Sequence, residues 1–70
     1  MIKVGDVVQF NGAHKWYGSL GIVTRAKPCG TDTKYMIGVP IPQKGTAYIF
    51  SMASAGEIER IGEAAFVPED

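Results

Sequence analysis

Short runs of alternating apolar and polar residues, separated by glycine and proline, make up most of this chain. The clearest run lies between residues 34 and 41, where every second side chain is apolar: Tyr35, Ile37, Val39 and Ile41. A period of two is the pattern of a half-buried β-strand. Nine glycines and four prolines interrupt such runs, and no long stretch has helical periodicity. The pattern therefore predicts an all-β fold.

The boundaries of these runs predict five strands, over residues 2–10, 20–27, 34–41, 46–52 and 58–61. Residues 11–19 form a long first loop, and the polar residues 29–33 close a hairpin between the second and third strands. Ser54 and Glu57 have the spacing of a capping box, which predicts a short helical turn before the last strand. The fourth strand has apolar residues on both parities, so either both of its faces meet apolar groups or one of them is a binding surface.

The apolar parity of each strand predicts the core, which comprises Val4, Val8, Phe10, either Ile22 or Val23, Ile37, Val39, Ile49 and Ile58. In the second strand Ile22 and Val23 compete for the interior, and the pattern leaves both open. Asp6 falls on the apolar parity of the first strand beside Gly5, which predicts a bend or bulge there.

The opening of the chain has glycines and a lysine at a particular spacing: the strand at residues 5–8, then Gly12 and Lys15, then the strand start at residues 21–23. This opening resembles the KOW motif of ribosomal and transcription-elongation proteins. Together with the long first loop and the helical turn, it resembles a small SH3-like five-stranded antiparallel barrel. The chain is also similar to small stand-alone SH3-like proteins of bacteria and their phages. The resemblance implies contact with nucleic acid or a nucleoprotein complex.

The first loop departs from that motif at Trp16 and Tyr17. In the motif a glycine follows the lysine directly. Here the two aromatics come between them, so the corresponding glycine is Gly18 and the loop is longer. The match covers only residues 5–23, in which the glycines supply turns and close strand approach. It therefore supports the fold more strongly than the function.

Charge is distributed unevenly along the 70 residues, although the formal net charge is zero. Residues 1–45 have six basic and two acidic side chains (+4), whereas residues 46–70 have one basic and five acidic side chains (−4). A net charge of zero argues against a general DNA-coating protein. We predict a barrel over residues 1–62 and an acidic tail over residues 63–70. The tail either covers the basic face weakly or frays in solvent.

The single cysteine, Cys29, cannot form an internal disulfide, which suits a reducing cytoplasm. The first residues lack the apolar region of a signal peptide, and no window approaches the 18 apolar residues of a membrane span. We expect a monomeric cytoplasmic protein without a membrane partner.

The candidate binding residues are cations and aromatics of the first loop and the next two strands: Lys15, Trp16, Tyr17, Arg25, Lys27 and Lys34. Loop aromatics can stack on bases or anchor a protein interface, and a basic stripe can follow a phosphate backbone. Alternatively, Trp16 folds back over the core and the cations merely cover a solvated face. Tyr35, Tyr48 and Phe50 could join Trp16 in an aromatic cage, although core packing is the more common role of strand aromatics.

Nothing in the sequence indicates catalysis. His14 has no nearby cysteine or cluster of acidic residues that could bind a metal ion with it, so it is expected to be an ordinary loop residue. Cys29 has no histidine at the spacing needed to activate it as a nucleophile. The sequence thus predicts a non-enzymatic binding module, without metal or cofactor, that contacts nucleic acid or a nucleoprotein complex. The alternative is a protein-interaction module, such as a phage or bacterial accessory protein, which docks a partner through the aromatic loop or a strand edge.

Overall fold

The computed structural model describes residues 1–45 and 47–68, and in this part of the chain the fold is all-β. It contains strands β1 (Asp6–Phe10), β2 (Leu20–Cys29), β3 (Asp32–Pro40), β4 (Tyr48–Ser54) and β5 (Ile58–Glu63), with 3-10 turns at Pro42–Lys44 and Ala55–Glu57. The predicted five strands and the helical turn before the last strand are confirmed. Thr46, where the fourth strand was expected to begin, and the tail acids Glu69 and Asp70 lie outside the described residues.

The strands form one antiparallel sheet in the order β4-β3-β2-β1-β5. The edge strands β4 and β5 do not pair with each other in the described part of the chain, so the sheet is open and the closed barrel stays a prediction. β2 and β3 form a hairpin whose ladder extends to the pair Cys29–Asp32. β1 pairs only with residues 20–22 of β2. The distal half of the hairpin therefore projects beyond β1. Pro28 has no backbone N–H to donate, but β2 can continue through it because β1 does not extend this far.

Among the described residues, the core cluster contains seven buried apolar side chains: Val8, Phe10, Val23, Tyr35, Ile37, Ala53 and Ile58. Val23, not Ile22, occupies the interior, and Val39 packs partly against the cluster. Two predicted core residues are wrong, because Val4 is 46% exposed and Ile49 is 47% exposed. Val4 precedes β1, where the Asp6 N–H bonds to the carbonyl of Lys3 in a turn. Ile49 lies on an edge strand, where no further strand covers it.

A register shift between Val23 and Arg25 determines which face of the hairpin each later side chain occupies. Val23 pairs with Ile37 inside the core, whereas Arg25 pairs with Met36 and Lys27 pairs with Lys34. Because strand side chains alternate between faces, these two later pairs lie on the side of the sheet away from the core, here called the outer face.

The segment after β5 packs against the rest of the protein. The Ala64 N–H bonds to the carbonyl of Gly5 at 2.8 Å, and Pro68 is buried. The ring of Phe66 lies 6.5 Å from that of Tyr48, which is itself 6.4 Å from the ring of Phe50. Phe66 thus covers part of the apolar outer face of β4. Glu63, assigned from the sequence to the tail, is the last residue of β5.

Candidate functional site

The first loop is built from consecutive turns whose ends are joined at the end of β1. The Phe10 N–H bonds to the Ser19 carbonyl at 3.0 Å, and the Gly18 N–H bonds to the Phe10 carbonyl at 2.8 Å. Gly18 has φ of 88°, a left-handed conformation that favours glycine. The glycine displaced by the two aromatics is therefore the residue that lets the chain turn back into β2.

His14 anchors this loop to β4. Its side chain is only 8% exposed, and its ring lies 4.4 Å from that of Phe10. Nδ1 accepts the Trp16 N–H at 3.0 Å, so the ring hydrogen is on Nε2, which donates to the Met52 carbonyl at 3.3 Å. The sequence predicted an ordinary loop histidine, and no pattern in a single chain would have indicated this anchoring role.

The two loop aromatics have different environments. Trp16 is half-buried and packs against the core, with its ring edge-on to Phe10 at 5.9 Å. Tyr17 is 71% exposed, and Lys15 is also exposed. Of the alternatives left open by the sequence, the folded-back tryptophan is the observed one. The loop consequently presents Lys15 and Tyr17 to solvent.

The projecting hairpin brings the other candidate cations onto one face. Lys27 and Lys34 are directly opposite each other on β2 and β3, two pairs beyond Arg25 and Met36 and on the same face. Neither lysine amine forms an ion pair within the described residues. Lys34 does act at longer range on Glu57, whose pKa is lowered mainly by the Ser54 N–H and only slightly by this lysine. Asp32, two residues before Lys34 on β3, lies on the same face, so the outer face of the hairpin carries three basic side chains and one acidic side chain in the described part of the chain.

The first loop and the hairpin meet the same end of β4. His14 bonds to Met52, and Met52 pairs with Met36 on β3. Two pairs further along the ladder, Ser54 pairs with Lys34. The structure thus brings the two groups of candidate residues to neighbouring parts of the surface. The described residues do not form the aromatic cage, because Tyr35 is buried in the core and the Tyr48 ring lies near those of Phe50 and Phe66 instead.

A second group of charged residues, at the β1–β5 side of the sheet, neutralises itself. Asp6 has no exposed side-chain area and accepts the Lys3 N–H at 2.9 Å, the Lys3 amine at 3.2 Å and the Arg60 Nε at 3.2 Å. Glu63 pairs with the same two cations at 3.5 and 3.1 Å. The Lys3 N–H lowers the pKa of Asp6 against the opposing effect of burial, and the two cations lower it further. The charges of Lys3 and Arg60 are thus balanced locally.

The described residues contain no group of three or more histidine, cysteine, aspartate or glutamate side chains that could hold a metal ion. A shallow apolar groove of about 210 Å³ is lined by Val7, Leu20, Gly21, Ile22 and Pro40, none of which can transfer a proton. Cys29 is an exposed free thiol at the tip of the hairpin. Within the described part of the chain, no helix has the length and apolar character to cross a membrane.

Comparison of the chain with protein-family models, curated proteins and solved structures gives no match. The resemblance to the KOW motif therefore rests on the residues of the opening segment alone.

Proposed function

We propose that the chain is a non-enzymatic binding module of SH3-like type that contacts nucleic acid, alone or in a nucleoprotein complex, through the outer face of the hairpin and the adjoining first loop. The observation that carries the proposal is the direct opposition of Lys27 and Lys34, without an ion pair to either amine in the described residues. The five strands, the long first loop and the capped turn, on which the SH3-like resemblance depends, are all present.

Like charges directly opposite each other on neighbouring strands destabilise a sheet. An anionic ligand between Lys27 and Lys34 would remove that repulsion. Phosphate groups are suitable ligands because they accept hydrogen bonds from several ammonium groups at once. Arg25 lies on the same face two pairs closer to the core, and Lys15 and Tyr17 extend the surface with a further cation and a ring on which a base can stack.

The direct test is the salt dependence of binding, measured by fluorescence anisotropy with a labelled single-stranded oligonucleotide and a labelled duplex. Each phosphate contact contributes roughly 0.7–0.9 to the log–log slope. The double change Lys27→Gln, Lys34→Gln should therefore reduce the slope by about 1.5 and weaken binding at low salt.

The matched control is Lys3→Gln, which also removes a lysine charge. Because the Lys3 amine is already paired with Asp6 and Glu63, this variant should leave the slope unchanged. The proposal is wrong if the wild-type chain binds neither oligonucleotide at the lowest salt, or if the double variant keeps the wild-type slope.

The exposure of Tyr17 favours a second candidate, the docking of a protein partner on the first loop. Tyr17 is 71% exposed on a loop closed by backbone bonds at its base, and burying a large aromatic side chain on a loop whose backbone is already ordered costs less entropy than burying one on a flexible loop. Tyr17→Ala should abolish such a contact almost independently of salt. In the nucleic-acid case it should weaken binding but leave the salt slope intact.

A further inference from the structure

His14 is a titratable side chain that the proposed binding surface does not use. It is the single histidine of the chain, and it is only 8% exposed within the first loop. Its ring lies 4.4 Å from the ring of Phe10 in the core and 6.0 Å from that of Trp16 in the loop. A change in the charge of His14 therefore acts directly on the tryptophan that the loop packs against the core.

The two ring nitrogens of His14 respond differently to a proton. Nε2 donates to the Met52 carbonyl at 3.3 Å, and it carries a hydrogen in both the neutral and the charged ring. Nδ1 accepts the Trp16 N–H at 3.0 Å, which it can do only while the ring is neutral. In the charged ring two N–H donors would face each other across this contact. The bond to β4 is thus compatible with either charge, whereas the bond to the loop requires the neutral ring.

We propose that His14 makes the first loop a pH-sensitive element, in which protonation of the ring releases Trp16 from the core while the ring stays bonded to β4. The backbone bonds that join Phe10 to Gly18 and Ser19 do not involve the ring. The base of the loop therefore stays closed, and the movement is confined to the residues around Trp16. Histidine is suited to this role because its ordinary pKa brings the change of charge between pH 5 and 8.

The release of Trp16 changes the surface that the loop presents. Lys15 and Tyr17 are exposed in the structure, whereas Trp16 is half-buried. After release, Trp16 joins these two residues in solvent. The loop then presents a second aromatic ring and gains the charge of the imidazole at mildly acidic pH.

The charged groups near the ring act on it in opposite directions. Glu57, in the turn before β5, attracts the charged imidazole: the Ser54 N–H is the main cause of the lowered pKa of Glu57, and His14 contributes in the same direction. Lys34 on β3 acts on the same carboxylate. Lys15, the next residue along the loop, repels the imidazole but is exposed to water, which screens it.

The uncharged groups packed against the ring also attract a cation. These are the ring of Phe10 on β1 and the carbonyl of Met52 on β4. Together with Glu57 they hold the charged ring in its place. None of them gives the Trp16 N–H another acceptor, and an unpaired buried N–H is costly, so the backbone at Trp16 moves towards water.

The test needs no ligand, so the inference does not depend on the proposed function. The chain has one tryptophan and one histidine, which makes the fluorescence of Trp16 and the imidazole NMR signals of His14 self-assigning. Between about pH 7.5 and pH 5 an ordinary histidine titrates while carboxylates stay ionised. Over this range the Trp16 emission should shift to the red and acrylamide should quench it more strongly. The Trp16 amide signal should move with the same midpoint as the His14 ring signals.

The matched variant is His14→Asn, which cannot be protonated. Its side-chain oxygen can still accept the N–H two residues further on, as that of Asn11 does from Ala13 at 2.9 Å. The emission of this variant should not change over the same pH range. Lys15→Ala, in which His14 is intact, should respond as the wild type does.

A wild-type emission maximum that stays constant from about pH 7.5 to pH 5 overturns the proposal, whether or not the ring titrates. A fall in intensity alone does not rescue it, because a charged imidazole quenches a neighbouring indole without any movement. A Trp16 amide signal that does not follow the His14 ring overturns it without any variant. So does a wild-type shift that persists in His14→Asn, once circular dichroism shows that variant to be folded.

Discussion

Among the glycines of the described structure, Gly21 has the least room for a side chain, and Gly21→Ala tests this. A Cβ at this position would lie 2.5 Å from Cγ2 of Ile37, 2.9 Å from the carbonyl oxygen of Gly38 and 3.1 Å from Cγ2 of Val39. The second contact is with backbone, and Ile37 is fully buried, so neither neighbour can move aside easily. The φ of Gly21 lies outside the left-handed region. We therefore expect the alanine to destabilise the fold through these close contacts and not through backbone strain.

Overpacking a core costs about 1–3 kcal/mol, and three simultaneous close contacts place Gly21→Ala near the upper limit. Replacing glycine also restricts the unfolded chain, which offsets about 0.4–1 kcal/mol. We expect a net destabilisation of about 2 kcal/mol, which in a domain of this size lowers Tm by roughly 8–16 °C.

Thermal and urea unfolding followed by circular dichroism measure this difference. The matched control is Gly62→Ala, since Gly62 also lies in a strand but a Cβ there would meet nothing within 4 Å. We expect that variant to be neutral or slightly more stable. A free energy of unfolding for Gly21→Ala within about 0.5 kcal/mol of the wild type would refute the close approach of β2 and β3 described here.

Two further predictions concern the buried polar residues. Because the pKa of Asp6 in the folded state lies below its ordinary value of 3.8, its contribution to stability is present above that value and is lost as the pH falls through and below it. The stability difference between the wild type and Asp6→Asn should therefore be largest near neutral pH and shrink below about pH 4, and a constant difference in urea titrations would contradict this. His14→Ala should destabilise the fold by about 2–3 kcal/mol, because it removes a buried ring and two hydrogen bonds, and should shift Trp16 fluorescence to the red. Lys15→Ala, a change at the exposed neighbouring residue, should do neither, and an unshifted emission in His14→Ala would show that Trp16 does not depend on this anchor.

The all-β fold and the capped turn were predictable from the sequence because they depend on local spacing alone. The capping box at Ser54 and Glu57 and the two-residue period of β3 require no knowledge of the neighbouring strands. Which residues form the core was less predictable, because assigning alternate residues to opposite faces assumes that the two strands pair without a register shift. The register shift after Val23 reverses the faces of the residues that follow it in β2, and no residue type there indicates the irregularity. Ile49 has the pattern of a core residue but lies where the sheet ends.

The candidate site was predictable as a set of residue types but not as an arrangement. The sequence placed Lys27 and Lys34 on neighbouring strands, yet their direct opposition depends on the ladder extending to Cys29 and Asp32. His14 was missed because its role comes from contacts with Phe10 and with Met52, which is far away in the sequence. The masking of the basic face by the acidic tail stays a prediction, since Glu69 and Asp70 lie outside the described residues.

A net charge of zero is compatible with an anionic ligand because of where the charges lie. Two of the seven basic residues, Lys3 and Arg60, are paired with Asp6 and Glu63 at the β1–β5 side. Lys27 and Lys34 lie together on the outer face of the hairpin. An anionic ligand would relieve the repulsion between these two lysines, so the local charge, and not the net charge of the chain, decides whether such a ligand binds.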